Sequence, residues 1–373
     1  MRILHLMAPA AIGGMERVVQ MLALAQSERA HDARVAAVVT PDSTPEVDRY
    51  LGALGEAGLP VYRLEVGGRA YARESALVSD IVRRHRPEVV HSHSYRTDVV
   101  DGPGVRRTGT PFVVTAHGYT GGTLRNRMYE WVQRRSFRRC HAVVAVSQPL
   151  HRELAQSGIG QERLHLVVNG WNSRDELAPP GDARRALGTR EGTFAIGWVG
   201  RVSREKGLDV TIRALSFLRD VPASLIVVGN GPLRSELVEL ATRLGVADRV
   251  SWLGVVADAA RLFSGFDALV SSSRTEGTPI VLLEAMSAGV PIVSTRVGGI
   301  PDILTDHEAL LVPSEDPRAI ADGVRKVMTD PIGAEQRANA ARERLGRERG
   351  ADRWVAEYDR VYHAAAQLAE ADR

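Results

Sequence analysis

The stretch Arg274-Thr-Glu-Gly-Thr-Pro-Ile-Val-Leu-Leu-Glu284, continuing as Ala-Met-Ser-Ala-Gly289-Val-Pro-Ile-Val-Ser294, reads as a loop, a short helix and a strand. Thr278 has the side chain of a helix cap, Pro279 suits the first helical position, and Gly289 with Pro291 ends the helix after about ten residues. Its body, Ile280 to Met286, is apolar nearly all round, which predicts burial, yet it carries one carboxylate, Glu284. A buried anion is costly unless it is hydrogen-bonded. A second carboxylate, Glu276, precedes the cap in a loop that also holds Gly277. The start of a helix offers unpaired N–H groups and a partial positive charge, a seat for phosphate. The plainer reading of Glu284 is a structural carboxylate bonded to backbone.

Working outward, this helix belongs to a series of strands and helices. Phe194–Val199 is an expected strand, followed by Gly200-Arg201-Val-Ser-Arg-Glu-Lys206-Gly207 and a helix over 208–218. Ser224–Val228 leads into Gly229-Asn230-Gly-Pro232 and another helix, and 250–253, 268–271 and 291–294 supply further strands. The first half has the same rhythm. An apolar strand at 3–7, then Gly13-Gly14 and a helix from about Met15, precede strands at 34–40, 61–64, 89–91, 112–115 and 142–146. Alternation of this kind predicts parallel sheets covered by helices, hence an α/β chain of two Rossmann-like domains facing each other across a cleft. The boundaries expected are 1–172, a polar linker at 173–192, and 193–348. A terminal helix from about 349, with Trp354, Tyr358 and Tyr362 at helical spacing, packs back on the first domain.

Composition agrees with this scale. At 373 residues the chain exceeds one core, and 44% hydrophobic with 25% charged residues is ordinary for a globular protein. No apolar run reaches the roughly 20 residues of a membrane span, and Met1–Met7 lacks a signal-peptide pattern, so a cytoplasmic location is expected. The lone Cys140 excludes a disulfide framework. Net charge is +3, carried almost wholly by arginine: there are only two lysines, Lys206 and Lys326. In such a chain Lys206, in a glycine-flanked loop, stands out. Cations there and two carboxylates beside a helix start suit a ligand with hydroxyls at both ends and phosphate between, the build of a nucleotide sugar.

Gly13-Gly14-Met-Glu16, His117-Gly118, Val168-Asn-Gly170, Gly200-Arg201…Lys206-Gly207, Gly229-Asn-Gly-Pro232 and Glu276-x7-Glu284 occur in this order along nearly the whole chain. Together they resemble family 4 of the retaining glycosyltransferases, which have the GT-B architecture. The resemblance implies transfer of a hexose or N-acetylhexosamine from a nucleoside-diphosphate sugar, uridine favoured, to an acceptor hydroxyl.

By that resemblance Arg201 and Lys206 clamp the pyrophosphate and stabilise the leaving diphosphate, Glu284 holds the ribose, and Glu276 lies near the transferred sugar. Gly13, Gly14, Gly229, Asn230, Gly277, Thr278, Pro279, Ile280 and Val281 bring backbone close to the donor. His117 contacts the donor sugar, and His93 lines the acceptor pocket. No cofactor is expected, and without an Asp-x-Asp motif the chemistry is expected to need no metal. His91 and His93 have metal-like spacing, but the sequence puts no third ligand beside them.

The family pattern often has an Asp after Asn-Gly, where this chain has Trp171-Asn172. Arg125, Arg127, Arg134, Arg135, Arg138 and Arg139 lie with Met128 and Trp131 along an expected helix at 124–140. A solvated helix or a peripheral contact with anionic membrane at its inner face accounts for it. Nucleic acid is not expected, since the motifs of its binding modules are absent. The other functions that fit are a nucleotide-sugar epimerase of the same architecture and a non-catalytic sugar-nucleotide sensor.

Overall fold

The computed structural model describes residues 1–9, 13–118, 124–172 and 176–372, leaving aside the side chains of 124–126. The chain divides into two compact units, Met1–Asn172 with Arg349–Arg373, and Ser173–Glu348.

Unit 1 holds seven strands, β1 (Arg2–Met7), β2 (Asp32–Val39), β3 (Val61–Glu65), β4 (Val89–Ser92), β5 (Phe112–Ala116), β6 (Ala142–Ala145) and β7 (Leu164–Leu166). They form one sheet in the order β3-β2-β1-β4-β5-β6-β7, with every pairing parallel. Parallel strands buried on both faces read as continuous apolar runs, as Phe112–Ala116 and Ala142–Ala145 do. Strand order reverses between β1 and β4, so the carboxyl ends of these two strands flank the switch point where such sheets bind ligands. The register sets His5 opposite His91 there.

Unit 2 repeats the plan with β8 (Phe194–Val199), β9 (Ala223–Val228), β10 (Val250–Gly254), β11 (Ala268–Ser271), β12 (Ile292–Thr295) and β13 (Leu310–Val312), in the order β10-β9-β8-β11-β12-β13. Its switch point lies between β8 and β11. Its core packs Trp198, Leu208, Ile212, Leu225, Val227 and Val270 against Ile320 and Val324 of the helix Pro317–Thr329.

Several expectations are corrected. Part of the stretch read as a polar linker, 173–192, folds as the helix Pro180–Ala186, and 173–175 lies outside the described residues. Ala183 of that helix is buried, and Arg184 reaches Asp267 at 2.9 Å, which ties it into unit 2. The quoted helix runs Ile280–Ala288, one residue later than its sequence suggested: Pro279, with ψ of 116°, is the extended residue before it, and Thr278 is not the cap. Gly289 does end it, at φ +67°. Leu282, Leu283, Ala285 and Met286 are buried, whereas Glu284 is only half-buried.

The terminal helix, Ala351–Ala371, lies on unit 1 and contributes Trp354, Tyr358 and Tyr362 to its interior. Gly170 serves this docking, because a Cβ there would meet the Trp354 side chain at 2.4 Å.

Candidate active site

In unit 2 the strand-end loops are laced together by backbone. A Cβ on Gly207 would lie 2.1 Å from the Ser272 carbonyl oxygen, one on Gly229 would lie 1.9 Å from that of Gly200, and one on Gly231 would lie 2.3 Å from that of Val202. Val202 N–H donates to the Asn230 carbonyl at 3.0 Å, and Arg274 N–H donates to that of Glu205 at 2.8 Å. Glycine at φ +64° and +132° lets these loops approach without a side chain between them.

The loops bring Lys206 and Glu276 together. Lys206 Nζ donates to Glu276 Oε1 at 2.6 Å, and Ser273 Oγ donates to the same oxygen at 2.7 Å. The Glu276 carbonyl accepts from Gly299 N–H at 3.1 Å, so the residue is held at both ends. Arg274, inside the quoted stretch but given no role by the sequence, donates to both Asp209 oxygens at 2.8 Å and to the Arg204 carbonyl at 2.6 Å. That fork joins the loop after β11 to the start of the helix Leu208–Leu215. Arg201 and Asn230 are exposed at the same strand ends, and Asn230 Oδ1 accepts from Gly231 N–H. Thr278, Pro279 and Ile280 are buried at the helix start, with Gly277 and Val281 half-buried. The first N–H groups of that helix have no partner within it.

In unit 1, Gly13 precedes the helix Gly14–Glu28, and its N–H donates to the Glu16 carboxylate at 2.9 Å. Glu16 thus caps its own helix. At the switch point a polar layer crosses the apolar core. His5 Nε2 lies 2.7 Å from Gln26 Oε1, and His5 Nδ1 lies 2.9 Å from His93 Nε2. Gln26 Nε2 donates to the Tyr362 hydroxyl at 3.0 Å, which lies 2.9 Å from His91 Nδ1. His91 Nε2 lies 2.7 Å from Thr115 Oγ1, and that oxygen is 3.2 Å from the Tyr358 hydroxyl.

His93 Nδ1 and His117 Nε2 are buried without a hydrogen-bond partner, and their rings lie 5.7 Å apart. Burial holds His5 and His117 down at about 4 and keeps His91 and His93 well below the usual imidazole range, so all four are neutral near pH 7.

His5 is the third histidine that the sequence did not place beside His91 and His93. One ring nitrogen from each of the three lies within 4.8 Å of the others. His5 and Gln26 were hidden in buried segments that read as core. A histidine within an otherwise apolar parallel strand was the available signal.

Directly after His93, Tyr95 and Arg96 border a groove of about 860 Å³ that Tyr71, Tyr129, Arg83 and Arg107 also line. Arg96 is forked onto Glu74, which is fully buried. On the helix Leu124–Phe137, Met128 and Trp131 are exposed, as are Arg127 and Arg135. Arg134 pairs with Glu153, and Arg138 donates to the Ser157 carbonyl; the Arg125 side chain lies outside the described residues. Among the described residues no helix is long and apolar enough to cross a membrane.

Two family models match the chain. Glycosyltransferase Family 4 matches residues 12–174, and Glycosyl transferases group 1 matches residues 181–344. The chain is 28% identical over 377 residues to a glycogen synthase of Mycobacterium tuberculosis, covering 90% of this chain and 87% of that protein. It is 34% identical to a D-inositol 3-phosphate glycosyltransferase of Stackebrandtia nassauensis over 65% of this chain and 60% of the relative. Among solved structures it is similar to Anabaena HepE in complex with UDP-glucose, with TM-score 0.83 at 21% identity over 96% of this chain and 98% of that one.

Proposed function

Because this chain belongs to the GT-B glycosyltransferases of the family 4 type, we propose that it is a retaining hexosyl- or N-acetylhexosaminyltransferase using a nucleoside-diphosphate sugar, with UDP favoured. The observation that carries the reading is the Lys206–Glu276 pair among glycine-laced strand-end loops, next to the start of the helix Ile280–Ala288.

Lys206 and Arg201 face the diphosphate and take up the charge that grows on it as the glycosidic bond breaks. Lys206 has three N–H donors, so it keeps Glu276 while donating to phosphate. N–H groups of Ile280 and Val281 complete the anion seat, with Gly277, Thr278 and Pro279 shaping the approach. Gly229 and Asn230 border it, and Glu284 accepts from the ribose hydroxyls. Glu276, fixed by Lys206 and Ser273, turns its other oxygen to the sugar. Gly13 and Gly14 leave backbone open to a nucleotide sugar.

Neutral His117 contacts the donor sugar, positioning it rather than supplying a proton. The acceptor is taken by unit 1, at His93 and the groove bordered by Tyr95 and Arg96, whose tyrosines and arginines suit a ligand with apolar and anionic parts. Its hydroxyl attacks from the face the diphosphate leaves, and the departing phosphate takes its proton. The cations carry the charge stabilisation, so no metal is required.

Thermal stabilisation against a panel of nucleotide sugars tests the reading, since a ligand at 100 times its dissociation constant adds about 2.7 kcal/mol. Expected are a shift with one base, slow donor hydrolysis unaffected by chelator, and a product of retained configuration. No shift with any nucleotide sugar would sink the site. Activity lost to chelator and restored by manganese would sink the metal-free mechanism.

A further inference from the structure

Hydrogen positions in the buried layer of unit 1 follow from Gln26. Its Oε1 can only accept, so the bond to His5 Nε2 carries the histidine's hydrogen, and a neutral His5 has a bare Nδ1. The hydrogen in the 2.9 Å bond between His5 Nδ1 and His93 Nε2 therefore belongs to His93. That leaves His93 Nδ1 as a lone pair, and it is the buried nitrogen with no partner.

The other branch closes without conflict. The Gln26 amide donates to the Tyr362 hydroxyl, whose own hydrogen can go to His91 Nδ1 with His91 Nε2–H on Thr115. The orientation of one carboxamide thus fixes the hydrogens of His5 and His93.

A metal fits less well. Both nitrogens of His5 and both of His91 are already engaged. The 2.9 Å between His5 Nδ1 and His93 Nε2 is also shorter than the roughly 3.3 Å between two nitrogens on a tetrahedral ion with bonds of about 2.0–2.1 Å.

Buried polar atoms without partners are rare and costly, and two of them lie on neighbouring rings, His93 Nδ1 and His117 Nε2. One is a bare acceptor, and the other can carry hydrogen. We infer that Gln26 sets the tautomer of His117 through His5 and His93: His117 directs Nε2–H inward to His93 Nδ1 through one water, and keeps Nδ1 bare to accept a ligand hydroxyl. Gln26, His5 and His93 are then positioning residues, and His117 is the one that meets the ligand. The ligand half of this rests on the donor-sugar reading above; the tautomer half does not.

Long-range ¹⁵N–¹H correlation on the full-length protein labelled at histidine tests the relay without any ligand. His5, His93 and His117 are expected each to carry hydrogen on Nε2. Gln26→Met keeps the volume and removes both hydrogen bonds. It is expected to mix the tautomers of His5, His93 and His117 and to raise the KM for the donor roughly five- to tenfold, with kcat changed less than twofold. The wild-type spectrum decides the matter even where that variant does not fold.

An Nδ1–H tautomer at His93 or His117 would overturn the relay. So would unchanged tautomers in Gln26→Met, or stoichiometric zinc shifting the signals of His5, His91 and His93 together. Tautomers as stated with no response to any nucleotide sugar would support the relay and remove the ligand reading.

Discussion

Lys206 Nζ stands 2.6 Å from Glu276 Oε1, with the lysine side chain 29% exposed and the carboxylate 7%. The cation assigned to the diphosphate is therefore already held by the carboxylate assigned to the sugar. The two substitutions should act in opposite directions on diphosphate binding. Glu276→Gln releases the ammonium and should tighten UDP while lowering turnover. Lys206→Ala should weaken UDP and lower kcat/KM by about 100- to 1000-fold, the scale of one lost electrostatic donor. Calorimetric titration of UDP reads both, and weakening in both variants would show that the pair acts as a structural bridge.

Arg274 braces the loops that carry that pair. Its fork onto Asp209 and its bond to the Arg204 carbonyl set the distance between the loops that carry Lys206 and Glu276. Arg274→Lys cannot fork and should raise the donor KM about tenfold. Asp209→Asn should do much the same, and the double variant should cost little more than either single one. Additive losses from steady-state kinetics would refute a shared role.

The outline of the fold was legible where apolar runs are long, as in Phe194–Val199 and Ala223–Val228. The edge strands Leu164–Leu166 and Leu310–Val312 were not, because three residues carry no period. Thr278 has a cap's side chain, but the helix begins only after the extended Pro279. Lys206 and Glu276 were found separately from the chemistry of their loops, yet their contact spans 70 positions in sequence and comes from the backbone approaches at Gly207 and Gly298. His5 escaped notice because its partners, Gln26 on the helix Gly14–Glu28 and His93 just past β4, are distant in sequence.

Gly298 tests how far the loop geometry depends on glycine. It sits at φ +54°, and a Cβ there would lie 2.0 Å from the Glu276 carbonyl oxygen. Gly298→Ala should cost about 2 kcal/mol or more and weaken donor binding as Glu276 moves. Gly346, within the helix Pro331–Arg349, has nothing within 4 Å, so Gly346→Ala should stabilise by up to about 1 kcal/mol. Denaturant unfolding of the two variants should give opposite signs.

The buried histidines make a pH prediction. With His117 held at about 4 by burial, kcat/KM should show no break near 6.5 as pH falls. Because their folded values lie below the unfolded one, His5 and His117 contribute stability above about 6.5 that is lost progressively towards pH 4. Asp98 has the opposite sign: burial pushes it up to about 7, although Ser92 and Gln133 donate to it. Its contribution is complete below the ordinary carboxylate range and is lost as pH rises to about 7. Asp98→Asn should therefore match wild type near pH 4, gain on it progressively up to about pH 7, and hold that gain above. A gain independent of pH would show that Asp98 is ionised in the folded protein.

The helix Leu124–Phe137 separates two explanations of its charge. Arg134 is tied to Glu153 and Arg138 to the Ser157 carbonyl, so those cations serve the fold. Met128 and Trp131, 56% and 64% exposed, share the helix with exposed Arg127 and Arg135, a pattern that suits the boundary of an anionic bilayer. Sedimentation with phosphatidylserine vesicles should bring the protein down at low salt. Trp131→Ser with Met128→Ser should release it, because the apolar anchor goes while every cation remains. Arg134→Ala should leave binding nearly unchanged, since that guanidinium is already engaged. Equal loss in both variants would mean that the helix binds through net charge alone, and no sedimentation would mean that it is simply a solvated surface.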